Sequence, residues 1–491
     1  MVSLTLEQFK SLTKDYNVVP IYKEILLDVD TPLSVYFKIA TPGKFNYILE
    51  SVEKGENVGR YSFIGSSENF YIRSKKDTVE IYNKGKIYYK QTKDPIDEVK
   101  KLTENFKPYK DNTLPPFWGG YVGYIGYDVV KFYEPVGDYK PDVLNVPDIY
   151  LFLSDEVIAF DNLTNKIKII VSAVLSEDTN VEEAYNTALR KIENIEQKLN
   201  RELQIKRLSL SKKEVDLNSW QSNFTKEEFE KAVVKAKEYI KEGDIIQVVL
   251  SQRFFKKLKV DPSDIYRSIR VINPSPYLFY LDFNDIKVVG SSPEILVSVV
   301  DGKILTKPIA GTRPRGKTLE EDLKLREELI NDEKERAEHL MLVDLARNDV
   351  GKVAKRGSVK VDRFMYIENY SHVMHIVSDV SGVLKEGLHP LDVFKSVFPV
   401  GTVSGAPKVR AMQIIEELEP DKRGIYAGGV GYISFDGNLD TAIAIRTAVI
   451  VNDTVYIQAG AGIVADSIPE KEWLETVNKA KAMMTAIELV E

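Results

Sequence analysis

Phe398-Pro399-Val400-Gly401-Thr402-Val403-Ser404-Gly405-Ala406-Pro407-Lys408-Val409-Arg410 is the stretch around which the rest of the chain is read. It holds two glycines, two prolines, two hydroxyl side chains and two cations. Pro407 predicts a first helical turn, where its missing N–H has no partner to lose. Ala411, Ile414, Ile415 and Leu418 then recur at helical spacing, and Pro420 closes the run. Thr402 and Ser404 therefore belong to a glycine-rich loop feeding a helix N-terminus, where free amides and the helix dipole attract an anion. Lys408 and Arg410 add positive charge. A plain capped helix after a tight turn accounts for the same residues, and this loop alone does not decide between them. A Walker-type phosphate loop is excluded by the missing Gly-Lys-Ser/Thr ending.

Working outward, 491 residues suggest about two to four domains. An apolar fraction of 43% and an aromatic fraction of 10% suffice for large cores. A net charge of -7 with both signs interspersed argues against nucleic acid as a partner. No stretch has the length and apolarity of a membrane span, and the first residues lack a signal peptide's apolar core. The expectation is a soluble, cytoplasmic protein with no membrane partner. Cysteine is absent, which removes disulfides, thiolate metal sites and a cysteine nucleophile. With only four histidines, a metal would be held by carboxylates, which favours a hard ion such as Mg²⁺.

Residues 1–20 read as a short helix leading into a strand. Tyr61–Gly65, Phe70–Ile72 and Val79–Tyr82 are β-prone runs, with Asn83-Lys84-Gly85 as a turn. Glu50-Ser51 near a strand can bind a ligand amine or be an ordinary surface pair. Residues 95–106 read as a helix. Phe117–Tyr124 and Tyr426–Tyr432 are two similar glycine-rich strands, a weak internal repeat. Residues 148–172 give two strands, 181–203 a charged helix, and 204–222 a polar linker across which β elements are free to share sheets. Thr225-x-x-Glu228 is a capping box, and Gly243 ends its helix. In the strand Asp244–Arg253, Gln247, Val249 and Ser251 face away from Ile246, Val248 and Leu250. Asn273–Tyr277 is a rigid turn before the strand Leu278–Phe283, Glu294 falls at a tip, and Lys307–Gly316 reads as a basic loop.

Asp332 caps a helix running to about Arg347, on which Glu335 and Glu338 share a face. The last helix repeats the pattern with Glu472 and Glu475, off the apolar stripe of Trp473, Val477, Ala480, Met484 and Ile487. Close like charges repel, so each pair is either a solvated acidic face or half of an Mg²⁺ site shared between helices. Ser371–Val377 reads as a strand that turns His372 and His375 to opposite faces, so one of them at most reaches a common site. Gly424–Phe435, Leu439–Val451 and Thr454–Val464 read as antiparallel strands. Arg446 falls in mid-strand and needs an anion if buried. Gln458–Gly462 ends a strand with free amides suited to a carboxylate. Cationic and amide-lined corners, an acidic corner and a histidine together suit a small dicarboxylate.

Pro308-Ile309-Ala310-Gly311-Thr312, the run Glu338–Asp349, Pro399–Lys408, Gly428–Tyr432, Ala444-Ile445-Arg446-Thr447 and Gln458–Gly462 together resemble the chorismate-utilising enzymes, most closely the anthranilate synthase component I (large, aminating subunit) family. Leu49-Glu50-Ser51 and Arg60–Gly65 extend the resemblance to the N-terminal half. It implies an α+β fold of large, mostly antiparallel sheets packed as a β-sandwich-like core flanked by helices. It also implies a regulatory region over 1–205 and a catalytic domain over 223–491. Chorismate would be held by Gly311, Thr312, Tyr426, Arg446, Gly460, Ala461 and Gly462, and Mg²⁺ by Glu338 and Glu475 with Glu335 and Glu472 supporting. Glu294 would protonate the departing hydroxyl as ammonia attacks, with His375 and Thr402 assisting, to give anthranilate and pyruvate. Relatives that add water carry lysine where this chain has Gln247, and aminodeoxychorismate-forming relatives usually carry lysine where it has Ala310. Aminodeoxychorismate synthesis remains the alternative. L-Tryptophan inhibition is implied through Glu50, Ser51, Pro276, Tyr277 and Leu278, the last a methionine in many relatives. The resemblance also implies a glutamine amidotransferase with a cysteine nucleophile as the source of ammonia, in a heterotetramer; this chain has no cysteine, so a separate subunit is expected.

Overall fold

The computed structural model describes residues 2–26, 29–51, 59–203, 205–208, 214–370 and 373–491. The readings of Ser371 and His372, and of part of the 204–222 linker, lie outside these residues.

Period-2 burial along the strands builds two large sheets, each of 12 strands among the described residues, with antiparallel pairing between neighbours. The first runs from Val18–Leu26 through Phe45–Glu50, Tyr277–Asp282, Ile286–Ser292, Thr447–Val451 and Thr454–Ile463 to Gln247–Lys257 and Gln221–Ser222. The second runs from Ile309–Pro314 and Val373–Val383 through Ile295–Val300, Leu439–Ile443, Gly429–Ser434 and Gly120–Ile125 to Lys86–Gln91. The sheets meet face to face over an aromatic core. Phe45 of the first stacks on Phe152 of the second at 5.2 Å, and Phe283 on Tyr150 at 4.4 Å. Each such fully buried ring contributes about 1.5–3 kcal/mol relative to exposure. The outer faces are covered by helices. Pro32–Ile39, Val181–Leu199, Pro262–Ile272 and Pro469–Glu488 pack on the first sheet, and Pro95–Glu104, Glu333–Val353 and Pro390–Val397 on the second. This is the expected α+β sandwich.

Both sheets mix strands from either side of 204–222. Glu50 pairs with Leu278, and Gly123 with Gly431. The two glycine-rich strands are thus direct neighbours. A Cβ on Gly123 or Gly431 would lie 2.0 Å from a carbonyl oxygen of the strand on its other side, so neither position accepts a side chain.

Local expectations hold where one element supplies its own signal. Thr225 and Glu228 form the reciprocal capping box, and Gly243 ends that helix at φ 84°. Others are corrected. Residues 148–172 hold three strands, Ile149–Ser154, Glu156–Asp161 and Lys166–Val174. The helix capped by Asp332 continues to Val353. Lys307–Gly316 is largely a strand, Ile309–Pro314, disguised by its position at the sheet edge and by a bulge at Gly311. Pro407 is the N-cap of Lys408–Leu418 rather than part of its first turn, because Gly405-Ala406 is drawn into pairing with Gln247-Val248. Leu439–Val451 is two strands in different sheets, broken at Ala444–Arg446.

Candidate active site

The chain crosses from the first sheet to the second at Pro293-Glu294 and back at Ala444–Arg446. The crossings run side by side and are tied together. Ser291 N donates to Arg446 O at 3.1 Å, and Ile443 N to Glu294 O at 3.0 Å. Where the sheets part, a cavity of about 960 Å³ opens. It is closed on the far sides by the helices Glu333–Val353 and Pro469–Glu488, the turn at Thr402 and the strand Val373–Val383. Arg446 is therefore not in mid-strand, as the apolar run suggested, but on a left-handed residue at φ 51°. A non-glycine residue there costs of order 1–3 kcal/mol, so the surrounding bonds must hold it in place.

Glu294 is buried, and burial pushes its carboxyl up to about 8. Thr402 Oγ1 donates to Glu294 Oε1 at 2.9 Å, so the proton of the neutral acid sits on the other oxygen. His375 Nδ1 lies 2.8 Å from Gly311 O. A carbonyl only accepts, so Nδ1 carries the hydrogen and Nε2 keeps its lone pair. Burial lowers the pKa of this imidazole, and Arg446 and Lys479 lower it further. Arg446 Nη1 donates to Lys479 O, and among the described residues no carboxylate pairs with the guanidinium. Burial lowers its pKa too. Gln247 is buried on the cavity wall with Nε2 3.4 Å from Glu338 Oε1.

The four carboxylates line the same cavity, Glu335 and Glu338 from one helix, Glu472 and Glu475 from the other. Burial raises the pKa of Glu338, and the charges of Glu335 and Glu475 raise it further. Glu335 is partly neutralised by Arg313 at 3.3 Å and Glu475 by Lys479 at 2.7 Å. Among the described residues no three acidic or histidine side chains cluster tightly enough to hold a metal by themselves. The donor set nevertheless fits a hard cation. It is all oxygen, Glu338 has no ion-pair partner within 4 Å among the described residues, and Mg²⁺ takes one or two carboxylates and completes its shell from water and ligand.

Of the remaining expected site residues, Gly311, Thr312, Tyr426, Gly460 and Gly462 line the cavity. Gly460 has no room for more, since a Cβ there would lie 2.8 Å from Tyr426 Oη. Ala461 does not line it. Strand alternation turns its side chain into the core under the helix Lys226–Glu242. Gln458–Gly462 forms the last half of Thr454–Ile463, as expected, but along one edge its backbone is paired to Gln247–Lys257. Among the described residues its other edge has no strand beyond Ile457, because Thr447–Val451 starts too late to reach it. Lys408 and Arg410 build no anion site, since Asp349 takes Lys408 at 2.6 Å and Asp244 takes Arg410 at 2.6 Å. Lys479 was missed. Its Nζ bonds Gly460 O at 3.0 Å beside Arg446, and the Glu475-x-x-x-Lys479 spacing was the signal for it.

Glu50 and Leu278 are register partners away from the cavity, with Ser51, Pro276 and Tyr277 beside them. Glu50 is no surface residue. It is buried and accepts from Tyr266 Oη at 2.5 Å and Arg270 Nε at 3.0 Å. Tyr277 pairs with Ser292, two residues before Glu294.

A family model described as chorismate binding enzyme matches residues 44–485. Anthranilate synthase component 1 of Aquifex aeolicus (strain VF5) is 60% identical over 490 residues, covering 100% of this chain and 99% of that protein. The crystal structure of anthranilate synthase component I from Streptococcus pneumoniae TIGR4 matches at 38% identity and a TM-score of 0.78, covering 94% of this chain and 99% of that one. MenF, the menaquinone-specific isochorismate synthase from Escherichia coli, shares the fold at 20% identity, with a TM-score of 0.72 over 98% of each chain.

Proposed function

Because the chain belongs to the chorismate-binding enzyme family, we propose that it is the aminating subunit of an anthranilate synthase, a lyase that converts chorismate and ammonia to anthranilate and pyruvate. Supporting this reading is the full-length likeness to a protein named anthranilate synthase component 1.

The observation that carries the mechanism is a neutral acid, Glu294, on a cavity wall that has no lysine at 247 or 310. Hydroxide leaves poorly, and a carboxyl held near 8 by burial is protonated at neutral pH and ready to give its proton to the departing oxygen. Thr402 fixes which oxygen gives it. With no lysine base or nucleophile at those two positions, the nucleophile is supplied from outside as ammonia. Arg446, which has no carboxylate partner among the described residues, is the cation for a substrate carboxylate, and Lys479, paired with Glu475, adds positive charge beside it. The Nε2 lone pair of His375 accepts the ring proton as pyruvate leaves. Glu338 and Glu475 would ligate Mg²⁺, with Glu335 and Glu472 supporting. When bound, Mg²⁺ supplies Lewis acidity toward the ring carboxylate.

The proposal extends to a cytoplasmic heterotetramer with a glutamine amidotransferase subunit, since a chain without cysteine lacks the thiol for releasing ammonia from glutamine. It further extends to L-tryptophan inhibition at Glu50 and Ser51 of the regulatory region 1–205 together with Pro276, Tyr277 and Leu278 of the catalytic region 223–491. The deciding experiment supplies the purified chain with chorismate, ammonium and Mg²⁺. Fluorescent anthranilate is expected. A non-aromatic amine that keeps its pyruvyl group would make the chain an aminodeoxychorismate synthase, and a product without nitrogen would overturn the assignment.

A further inference from the structure

Arg423 is almost wholly buried, and its guanidinium is spent entirely inside the protein. Nε and Nη2 grip both oxygens of Glu419 at 2.9 and 2.7 Å. Nη1 donates to Val403 O at 2.7 Å and Nη2 to Val249 O at 2.8 Å. The planar group lies 4.7 Å from the ring centre of Tyr127 and 5.3 Å from that of Tyr426. Glu419 in turn takes Ser251 N at 2.8 Å and Ser251 Oγ at 2.7 Å, and Ser251 Oγ accepts from Gln458 Nε2 at 2.8 Å.

Val249, Val403, Tyr426 and Gln458 all line the large cavity, yet they come from four separate segments. Val403 directly follows Thr402, the residue that orients Glu294. A bare apolar core would hold these segments together without fixing their angles. A fork of charge-assisted bonds fixes both distance and direction. Burying this ion pair is not in itself a gain in stability, so its use lies in what it aligns.

We propose that Arg423, locked by Glu419, is a positioning residue of the active site: it sets the Thr402–Glu294 contact through the Val403 carbonyl and the substrate face of the Tyr426 ring. The inference rests on the chorismate-turnover reading for its kinetic consequence but not for its structural one.

The test separates alignment from stability. Arg423→Lys keeps the charge beside Glu419 but loses the planar fork, and it cannot reach both carbonyls while holding both carboxylate oxygens. The variant should melt within a few degrees of the parent, while kcat for anthranilate formation falls about tenfold or more and amide exchange over 401–406 speeds up about tenfold. The paired variant Arg423→Met/Glu419→Gln removes the charges together and keeps an acceptor for Ser251. It should show the same kinetic loss, and it stands in if the lysine variant does not fold. Lys38→Met/Asp30→Asn deletes a mostly buried ion pair on the helix-covered face of the first sheet and should leave kcat unchanged. Parental kcat and unchanged 401–406 exchange in a folded Arg423 variant would overturn the proposal, as would activity that merely tracks the folded fraction. Were the parent inactive on chorismate, the exchange measurement alone would decide the positioning role.

Discussion

Glu294 shows how one side chain trades stability for chemistry. Its carboxyl titrates near 4.5 when unfolded and is pushed up to about 8 by burial in the fold. Between those values the folded state holds a proton that the unfolded state has released, so stability falls as pH rises through this window. Glu294→Gln removes that slope. In thermal melts the variant should gain on the parent steadily from pH 5 to pH 8, and equal slopes would mean that Glu294 ionises freely. The same substitution should lower kcat by about 10²–10⁴, the usual worth of a positioned general acid, and the parent's kcat should decline above about pH 8 as the acid loses its proton. Apart from the acid role that the family resemblance implied, Glu294 was legible in the sequence only as a polar residue at a tip. Its neutral state was not, because burial depends on which sheets close over it. Gln247 was half legible, since strand alternation placed it opposite the core residues Val248 and Leu250, but not which environment lay on its side.

At the scale of elements, the helices Glu333–Val353 and Pro469–Glu488 bring their acidic pairs to one cavity from sequence positions more than a hundred residues apart. Glu338→Gln should weaken Mg²⁺ binding at least tenfold in a calorimetric titration of the folded variant and lower turnover in parallel. An unchanged titration would exclude Glu338 as a ligand. Each helix was readable alone, because i, i+3 spacing puts two carboxylates on one face whatever the helix packs against. Their convergence was implied only by the family resemblance and not by the spacing within either helix. The strand Phe45–Glu50 offers a second check at this scale. Ser51 Oγ is buried with no hydrogen-bond partner among the described residues, next to the Glu50–Leu278 register pair. Ser51→Phe should fill that space and raise the L-tryptophan concentration needed for half-inhibition by about tenfold or more, with uninhibited kcat retained. Inhibition like the parent's would move the effector site elsewhere. The element reading failed where neighbours override pattern. Leu439–Val451 is β-prone along most of its length, and such a run looks the same whether a strand continues in one sheet or leaves it for another.

Across the whole molecule, the expected division at 204–222 meets a fold that interleaves its halves. Tyr277–Asp282 is bordered by Phe45–Glu50, and Gly429–Ser434 by Gly120–Ile125, while the aromatic core between the sheets draws rings from both sides. A fragment of residues 223–491 would leave two inner strand edges unpaired and half of that core open. Expressed alone it should show no cooperative thermal transition by circular dichroism, and a sharp transition like the full chain's would establish 223–491 as an autonomous unit. The sequence by itself determined most strand and helix starts and the carboxylate pairs, because caps, turns and periodicity act over a few neighbouring residues, and its segments that resemble the chorismate-utilising enzymes implied the α+β class. Only the tertiary structure decided that Glu294 and Arg446 sit on paired crossings between sheets, that Lys408 and Arg410 are consumed by carboxylates, that Ala461 turns away and that Lys479 joins the site. Those outcomes depend on which distant groups meet in a low-dielectric interior, where a neighbour's charge or the loss of water outweighs any preference written locally in the chain.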